Sequence, residues 1–339
     1  MKYCIWNNKG GIGKTFLSFC LSVEYAIKNP DKNVVAVDMC PQANLSEMIL
    51  GGNGRGQEGY ETLQKDELTV AHYIKARYAK SMQNKLGTES GYFIKVNQYN
   101  NEMPENLWLL CGDIDLDLCS RIVTEMGNMS LRGAWKNSRS LLLDLLQTFE
   151  LNNKGETVFF IDCNPSFSTY TELAILSAER LIIPCTADFA SMRGIRNVFK
   201  TLYGYNQADM EESQFTFENF SVTAKDKGMP MPKVHSFILN KSRTHDKKAS
   251  SAYKAHAKKI TEIANDYKQN RSNDFADELS QLVFNIKDGN TLVTVLNHFG
   301  LPLSKLTAKT YAMYDRRTQL EQNQIDRIRE DMATVVDFL

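Results

Sequence analysis

The sequence has no Cys-x-x-Cys pair, no cluster of histidines and no excess of either charge. Its seven cysteines, Cys4, Cys20, Cys40, Cys111, Cys119, Cys163 and Cys185, are odd in number and scattered. That pattern excludes a disulfide framework, a zinc site of the usual spacing and an iron–sulfur cluster. Most lie inside apolar runs, as buried free thiols do, so a reducing cytoplasm is the expected compartment. The five histidines, His72, His235, His245, His256 and His298, show no metal-ligand spacing, which removes a His-based metal hydrolase. No run approaches the roughly 18 apolar residues of a membrane span. The N-terminus, MKYCIWNNKGG, enters a strand directly, with neither a signal-peptide core nor a lipidation motif. Lys and Arg together number 40, as do Asp and Glu, so there is no global basic field. Any nucleic-acid surface has to be a local patch.

What is present suits a packed α/β core. The chain of 339 residues is 42% hydrophobic and 24% charged, enough for one large domain or two small ones. Short apolar runs recur at Tyr3–Trp6, Val34–Val37, Trp108–Cys111, Val158–Ile161, Leu181–Ile183, Phe237–Leu239 and Leu282–Ile286. They lack polar alternation, which predicts strands buried on both faces of a parallel sheet. Amphipathic stretches between them, such as Thr15–Lys28, Ser138–Glu150 and Ser168–Ser177, predict covering helices. The expectation is one doubly wound domain over 1–339, with a mostly parallel sheet of about seven or eight strands and ligands at the strands' carboxyl ends. Polar insertions interrupt it near 51–106 and 205–233. Gly51–Gly59 is glycine-rich and reads as loop, with one helical stretch expected near Val70–Met82. Residues 205–233 close on KGMPMPK and read as surface loop. The C-terminal QIDRIREDMATVVDFL spaces Ile325, Ile328, Met332, Val335 and Val336 along one helix face.

The stretch NNKGGIGKT, residues 7 to 15, carries the chemistry. A strand, a glycine-rich turn and a helix starting at Thr15 turn backbone N–H groups and a helix dipole toward phosphate oxygens. Gly10, Gly11 and Gly13 keep side chains off the phosphates, and Ile12 lies between them. Lys14 is placed for β/γ oxygens and the Thr15 hydroxyl for Mg²⁺. The common pattern G-x-x-x-x-G-K-[ST] has glycine where this chain has Asn8, and Lys9 is added.

K-G-G-x-G-K-T resembles the deviant Walker A motif of the ParA/MinD family of partition and positioning ATPases. Three further stretches carry the resemblance in matching order: VVAVDMCPQANLSEMIL at 34–50, the Asp–Pro segment from VFFIDCNPSF at 158, and HFGLPLSKL at 298–306. The resemblance implies a P-loop ATPase that binds ATP and Mg²⁺ and hydrolyses ATP. It also implies an ATP-dependent homodimer in which Lys9 reaches the partner's phosphates; the alternative is a solvent-facing lysine that raises local potential. Asp162 and Asp38 end apolar strands and are the expected metal-side and catalytic carboxylates with Thr15, Lys9 and Lys14.

Two departures stand out. Cys40 occupies the position of the family's second acid in D-x-D-P-Q, and a thiol is a poor proton acceptor, so slow hydrolysis is expected. Phe16 replaces a usual threonine beside the α-phosphate. Asn240, at the end of the Phe237–Leu239 strand, either reads the adenine or belongs to a turn.

Residues 241–271 carry nine Lys/Arg against three Asp/Glu, which suits non-specific DNA binding or an exposed, solvated helix. The mixed charge of the C-terminal helix argues against a membrane anchor. GDIDLDLC at 112–119 lacks the Gly and distal Glu of a calcium loop and reads as a strand end leading into a helix. The resemblance therefore implies a machine that segregates or positions DNA or another cargo with a ParB-like stimulating partner. A hydrolysis-poor regulator or scaffold, or an amidoligase of the related P-loop branch with a small-substrate pocket in the insertions, remain as alternatives.

Overall fold

The computed structural model describes residues 1–80, 86–206, 211–212, 220–242, 247–277, 280–314 and 316–339. Eight strands form one sheet: β1 (Lys2–Ile5), β2 (Asn33–Met39), β3 (Ile94–Lys95), β4 (Leu107–Leu110), β5 (Thr157–Cys163), β6 (Arg180–Cys185), β9 (Lys233–Ser242) and β10 (Val283–Lys287). Their spatial order is β10-β9-β6-β1-β5-β2-β4-β3. All neighbours pair in parallel except β3, which closes the edge antiparallel to β4. The seven predicted strands are all there; the edge strand, only two residues long, is the eighth.

Alternation within each apolar run divides the core in two. Cys4, Val35, Val37, Phe159 and Ile161 face one layer of helices, while Tyr3, Ile5, Val34, Ala36, Val158 and Phe160 face the other. The first layer holds α4 (Val70–Ala79), α5 (Leu116–Gly127), α7 (Leu141–Asn152), α8 (Thr169–Ser177), α9 (Phe189–Tyr203), α10 (Phe220–Asp226) and α11 (Lys247–Asn270). The second holds α1 (Lys14–Lys28), α2 (Asn44–Leu50), α12 (Asn290–Phe299) and α13 (Gln322–Phe338). The spacing read from the C-terminus is realised, because Ile325, Ile328, Met332, Val335 and Val336 are all buried on α13.

Three local expectations need correction. Gly51–Gly59 is not all loop, since α3 (Arg55–Lys65) begins inside it. Glycine serves close packing there: a Cβ on Gly56 would overlap the Glu47 carbonyl of α2, and Leu63 anchors the helix in the core. The stretch 205–233 is not simple surface loop either. It contains the short hairpin β7 (Tyr205–Asn206) and β8 (Glu211–Glu212), then α10. Within Ser138–Glu150 the helix is broken, with α6 (Ala134–Arg139) ending before α7 starts at Leu141. The helix expected near Val70–Met82 is described to Ala79, and Met82 lies outside the described residues.

A second small sheet, β11 (Thr310–Met313) with β12 (Arg316–Gln319), packs on α12 near the C-terminus.

Candidate nucleotide site

The carboxyl ends of β1, β5 and β2 lie side by side and gather the predicted residues. Ile5 pairs with Asp162, and Asp162 with Asp38. Residues 6–13 leave β1 and enter α1 through Gly13, whose φ of 87° lies in the left-handed region that favours glycine. A Cβ there would also collide with the Asn240 amide, which donates to the Ile12 carbonyl at 3.0 Å. Asn240 thus braces the loop from β9. Above Gly10 and Gly11 there is open space, with no atom within 4 Å of where a Cβ would stand. A cleft of about 650 Å³ opens there, lined by Gly11, Lys14, Thr15, Cys40, Asn164 and Asn240 among others. That is the size of a small-molecule site.

Asp162 is buried and accepts from the Thr15 hydroxyl at 2.8 Å and the Ser18 hydroxyl at 2.9 Å. Burial raises its carboxyl above the usual range, and the bonds from Thr15 and Ser18 and the charge on Lys14 act against that rise. Thr15 and Asp162 form a hydroxyl–carboxylate pair of the type that holds Mg²⁺ beside a nucleotide. Lys14 donates to the Lys9 carbonyl at 2.8 Å, inside the loop it would close on phosphate. Burial lowers its pKa, while the charge on Asp162 raises it.

Asp38 is fully buried and points toward α2. It accepts from Cys40 N at 3.1 Å, Ser46 N at 2.9 Å and Ser46 Oγ at 2.8 Å. Its carboxyl therefore fixes the turn that carries Cys40. Burial and then the charge on Asp162 raise its pKa. Cys40 faces the cleft and accepts a weak bond from Asn164 Nδ2 at 3.5 Å. Burial, followed by the charge on Asp38, pushes its thiol up to about 12. It is neutral at pH 7 and offers no base. Phe16 is buried in the second core layer beneath the cleft.

Lys9 does not extend into its own cleft. Its Nζ donates to both Asp188 oxygens at 2.8 and 2.7 Å, to Thr186 Oγ1 at 2.9 Å and to Ser191 Oγ at 3.2 Å. Asp188 also caps α9, accepting from Ser191 N at 2.7 Å. Partial burial would raise its carboxyl, but bonds from Lys9 and Thr186 outweigh this and hold it at about 2. Sequence reasoning missed Asp188, Thr186 and Ser191, as well as Ser18 and Ser46. A signal existed only for Asp188: Asp-Phe-Ala-Ser after a strand is an N-cap pattern.

Elsewhere, Asp113 of the GDIDLDLC stretch is buried and accepts from Thr69 Oγ1 at 2.6 Å and from Asp115 N at 2.8 Å, which leads into α5. Among the described residues no group of three or more His, Cys, Asp or Glu forms a metal cluster. No described helix is long and apolar enough to cross a membrane. Of the basic segment, Lys254, Lys258 and Lys259 are exposed on α11. His245 and residues 243–246 around it lie outside the described residues.

A profile of the AAA domain family matches residues 2–214, which include Lys9, Asp38 and Asp162. The chromosome partitioning protein ParA of Caulobacter vibrioides is 25% identical over 199 residues, 58% of this chain and 60% of its own length. The chain thus spans 60% of the length of this curated relative. ParA of Myxococcus xanthus is 23% identical, covering 59% of this chain and 56% of its own. Among solved structures, apo McdA of Cyanothece superposes with a TM-score of 0.59 at 16% identity, covering 98% of each chain. A Borrelia burgdorferi protein bound to AMPPNP superposes with a TM-score of 0.54 at 14% identity, covering 100% of this chain and 98% of its own. These two are likenesses of fold. The profile match, with the deviant loop and Asp162 beneath it, places the chain in the AAA domain family as a P-loop protein of the ParA/MinD type.

Proposed function

We propose that this protein is a ParA-like ATPase that binds Mg²⁺-ATP, dimerises around two nucleotides and, as a dimer, binds DNA without sequence preference to segregate or position a cargo. One observation carries the reading: Thr15 and Asp162 are hydrogen-bonded at 2.8 Å beneath an open glycine loop. Thr15 and Asp162 would hold the metal, directly or through bound water, while Lys14 and the N–H groups of 10–15 hold phosphate. When bound, Mg²⁺ supplies charge neutralisation between the β- and γ-phosphates. Asp38 keeps the Cys40 turn in place, and Asn240 holds the loop in shape. Lys9 belongs to the partner's phosphates and supplies positive charge in trans. DNA is met by the basic segment 241–271, and a ParB-like protein stimulates turnover. The ParA relatives' names support the partition role, and the AMPPNP complex supports nucleotide in a cleft of this fold.

Isothermal titration of the chain with ATP, with and without Mg²⁺, tests the core of this proposal. Binding that needs Mg²⁺ and is lost in Thr15→Ala supports it; binding indifferent to both contradicts it.

Cys40 favours a second reading, a hydrolysis-poor switch, because its thiol is neutral where a base would serve. Cys40→Asp is expected to raise the steady-state ATPase rate by about tenfold or more. A variant no faster than wild type would contradict the assignment of slow turnover to this position.

A further inference from the structure

The outer face of α9 is basic along its length. Arg193, Arg196 and Lys200 are exposed, and steps of three and four residues place them on one stripe. The opposite face is buried through Met192, Ile195, Val198, Phe199 and Leu202. From Phe189 to Tyr203 the helix contains no Asp or Glu. The acidic strand Glu211–Glu212 follows beyond its C-terminal end.

A short second pair of cations lies at the start of the stripe. Phe189 meets His256 edge to face at 4.7 Å, and Phe199 stacks on Tyr267 at 3.9 Å. Contacts at two corresponding levels fix α9 and α11 side by side and running in the same direction. On α11, Lys254 and Lys258 are exposed four residues apart, whereas Lys259 pairs with Glu262 at 3.2 Å. Lys254 and Lys258 therefore lead into the α9 stripe near Phe189 and extend it as one ridge, while the exposed Glu262 of α11 lies farther along. The ridge starts at Asp188, the cap of α9 that also holds Lys9, so it is anchored at the nucleotide loop.

We infer that this ridge, with the α9 stripe Arg193–Arg196–Lys200 as its principal contact, grips the phosphate backbone of duplex DNA. The inference rests on the DNA-binding reading above and moves its contact onto an element outside the basic segment 241–271. Cations spaced along a rod match a line of phosphates. Single strands need a run of stacking platforms, and along the ridge the exposed ring is Phe189 at its start, with none between Arg193 and Lys200. A protein partner of ordinary kind would need apolar or aromatic anchors at the centre of the patch, and there are none between these cations.

The test compares wild type with Arg193→Gln/Arg196→Gln/Lys200→Gln, glutamine keeping helix propensity. Binding to a random-sequence fluorescent duplex is measured by anisotropy with Mg²⁺-ATP across a salt series, and dimerisation is followed in parallel. The triple variant is expected to dimerise like wild type yet bind DNA on the order of tenfold more weakly, with the log–log salt slope shallower by about two to three. Equal affinity and equal slope in the variant, while wild type binds, overturn the ridge and leave the DNA-binding reading standing. A wild type that binds no DNA overturns both. A variant that loses DNA binding no more than one with Lys254→Gln/Lys258→Gln alone overturns the primacy of α9.

Discussion

Lys9 and Asp188 sit 179 residues apart in the chain and meet at 2.8 Å. If Lys9 serves a partner's phosphates, it has to leave a carboxylate that already accepts it with both oxygens. Both side chains are partly exposed, at 23% and 45%, so solvent screening keeps the pair modest, of the order of 1 kcal/mol or less. Asp188→Asn preserves an N-cap oxygen for α9 while removing the charge. The variant is expected to reach half-maximal dimer at an ATP concentration several-fold lower than wild type, measured by light scattering across an ATP titration. An unchanged or higher midpoint would mean that the contact does not compete with dimerisation. The phosphate loop itself was legible from nine residues, because glycine, lysine and threonine at that spacing serve one chemistry. Asp188 was not, because nothing local ties a helix cap to a lysine on another strand end. Asn240 was read as either contacting the adenine or belonging to a turn, and its bond to Ile12, which braces the loop, was not legible.

At the level of elements, two junctions carry strain or charge that experiments can read. After α2 the chain turns through Gly51 and Gly52 onto the end of α12, and Gly300 caps α12 with φ 56°. A Cβ on Gly52, where φ is 74°, would stand 2.5 Å from the His298 carbonyl. Gly52→Ala is expected to lower stability by about 2 kcal/mol or more in urea unfolding, since backbone rather than a flexible side chain blocks it. A loss below half of that would mean the turn yields.

The second junction is His235 on β9, buried between Tyr3 and Phe338 at 5.3 and 4.8 Å. Neither ring nitrogen has a partner. Burial, then the charge on Arg180, lowers its pKa to about 4. The unfolded chain binds this proton near 6.5, so between those values it holds more proton than the folded chain does. This contribution to stability is present above about pH 6.5 and is lost as pH falls toward 4. It amounts to about 2 kcal/mol between pH 7 and pH 5. In His235→Phe that acid-side slope should flatten, and an unchanged slope would assign it elsewhere. The strands around these junctions were legible because each is apolar on both faces. Helix α3 was hidden, because Gly54, Gly56 and Gly59 mimic a loop when the α2 backbone that Gly56 packs against is not in view.

For the whole molecule, the layout explains why function gathers where it does. Three parallel strand ends deliver the loop, Asp38 and Asp162 to one crevice, and β6 delivers Asp188 beside them. The second core layer closes the far side with α13, whose apolar face is spent on the sheet and not offered to a membrane. The strands of the sheet could be read from the rhythm of apolar runs, whereas the packing of α9 against α11 could not. In the sequence the two helices are separated by β9, and they come together only where Phe189 meets His256 and Phe199 stacks on Tyr267.

Lys9 is proposed to work across two chains. Sedimentation velocity of wild type and Lys9→Ala, each with Mg²⁺ and a non-hydrolysable ATP analogue, separates that role from one within a single chain when nucleotide binding is checked on the same samples. Wild type is expected to shift to a dimer, whereas Lys9→Ala binds the analogue with affinity within about threefold of wild type yet stays a monomer. A Lys9→Ala protein that dimerises as readily as wild type would contradict it.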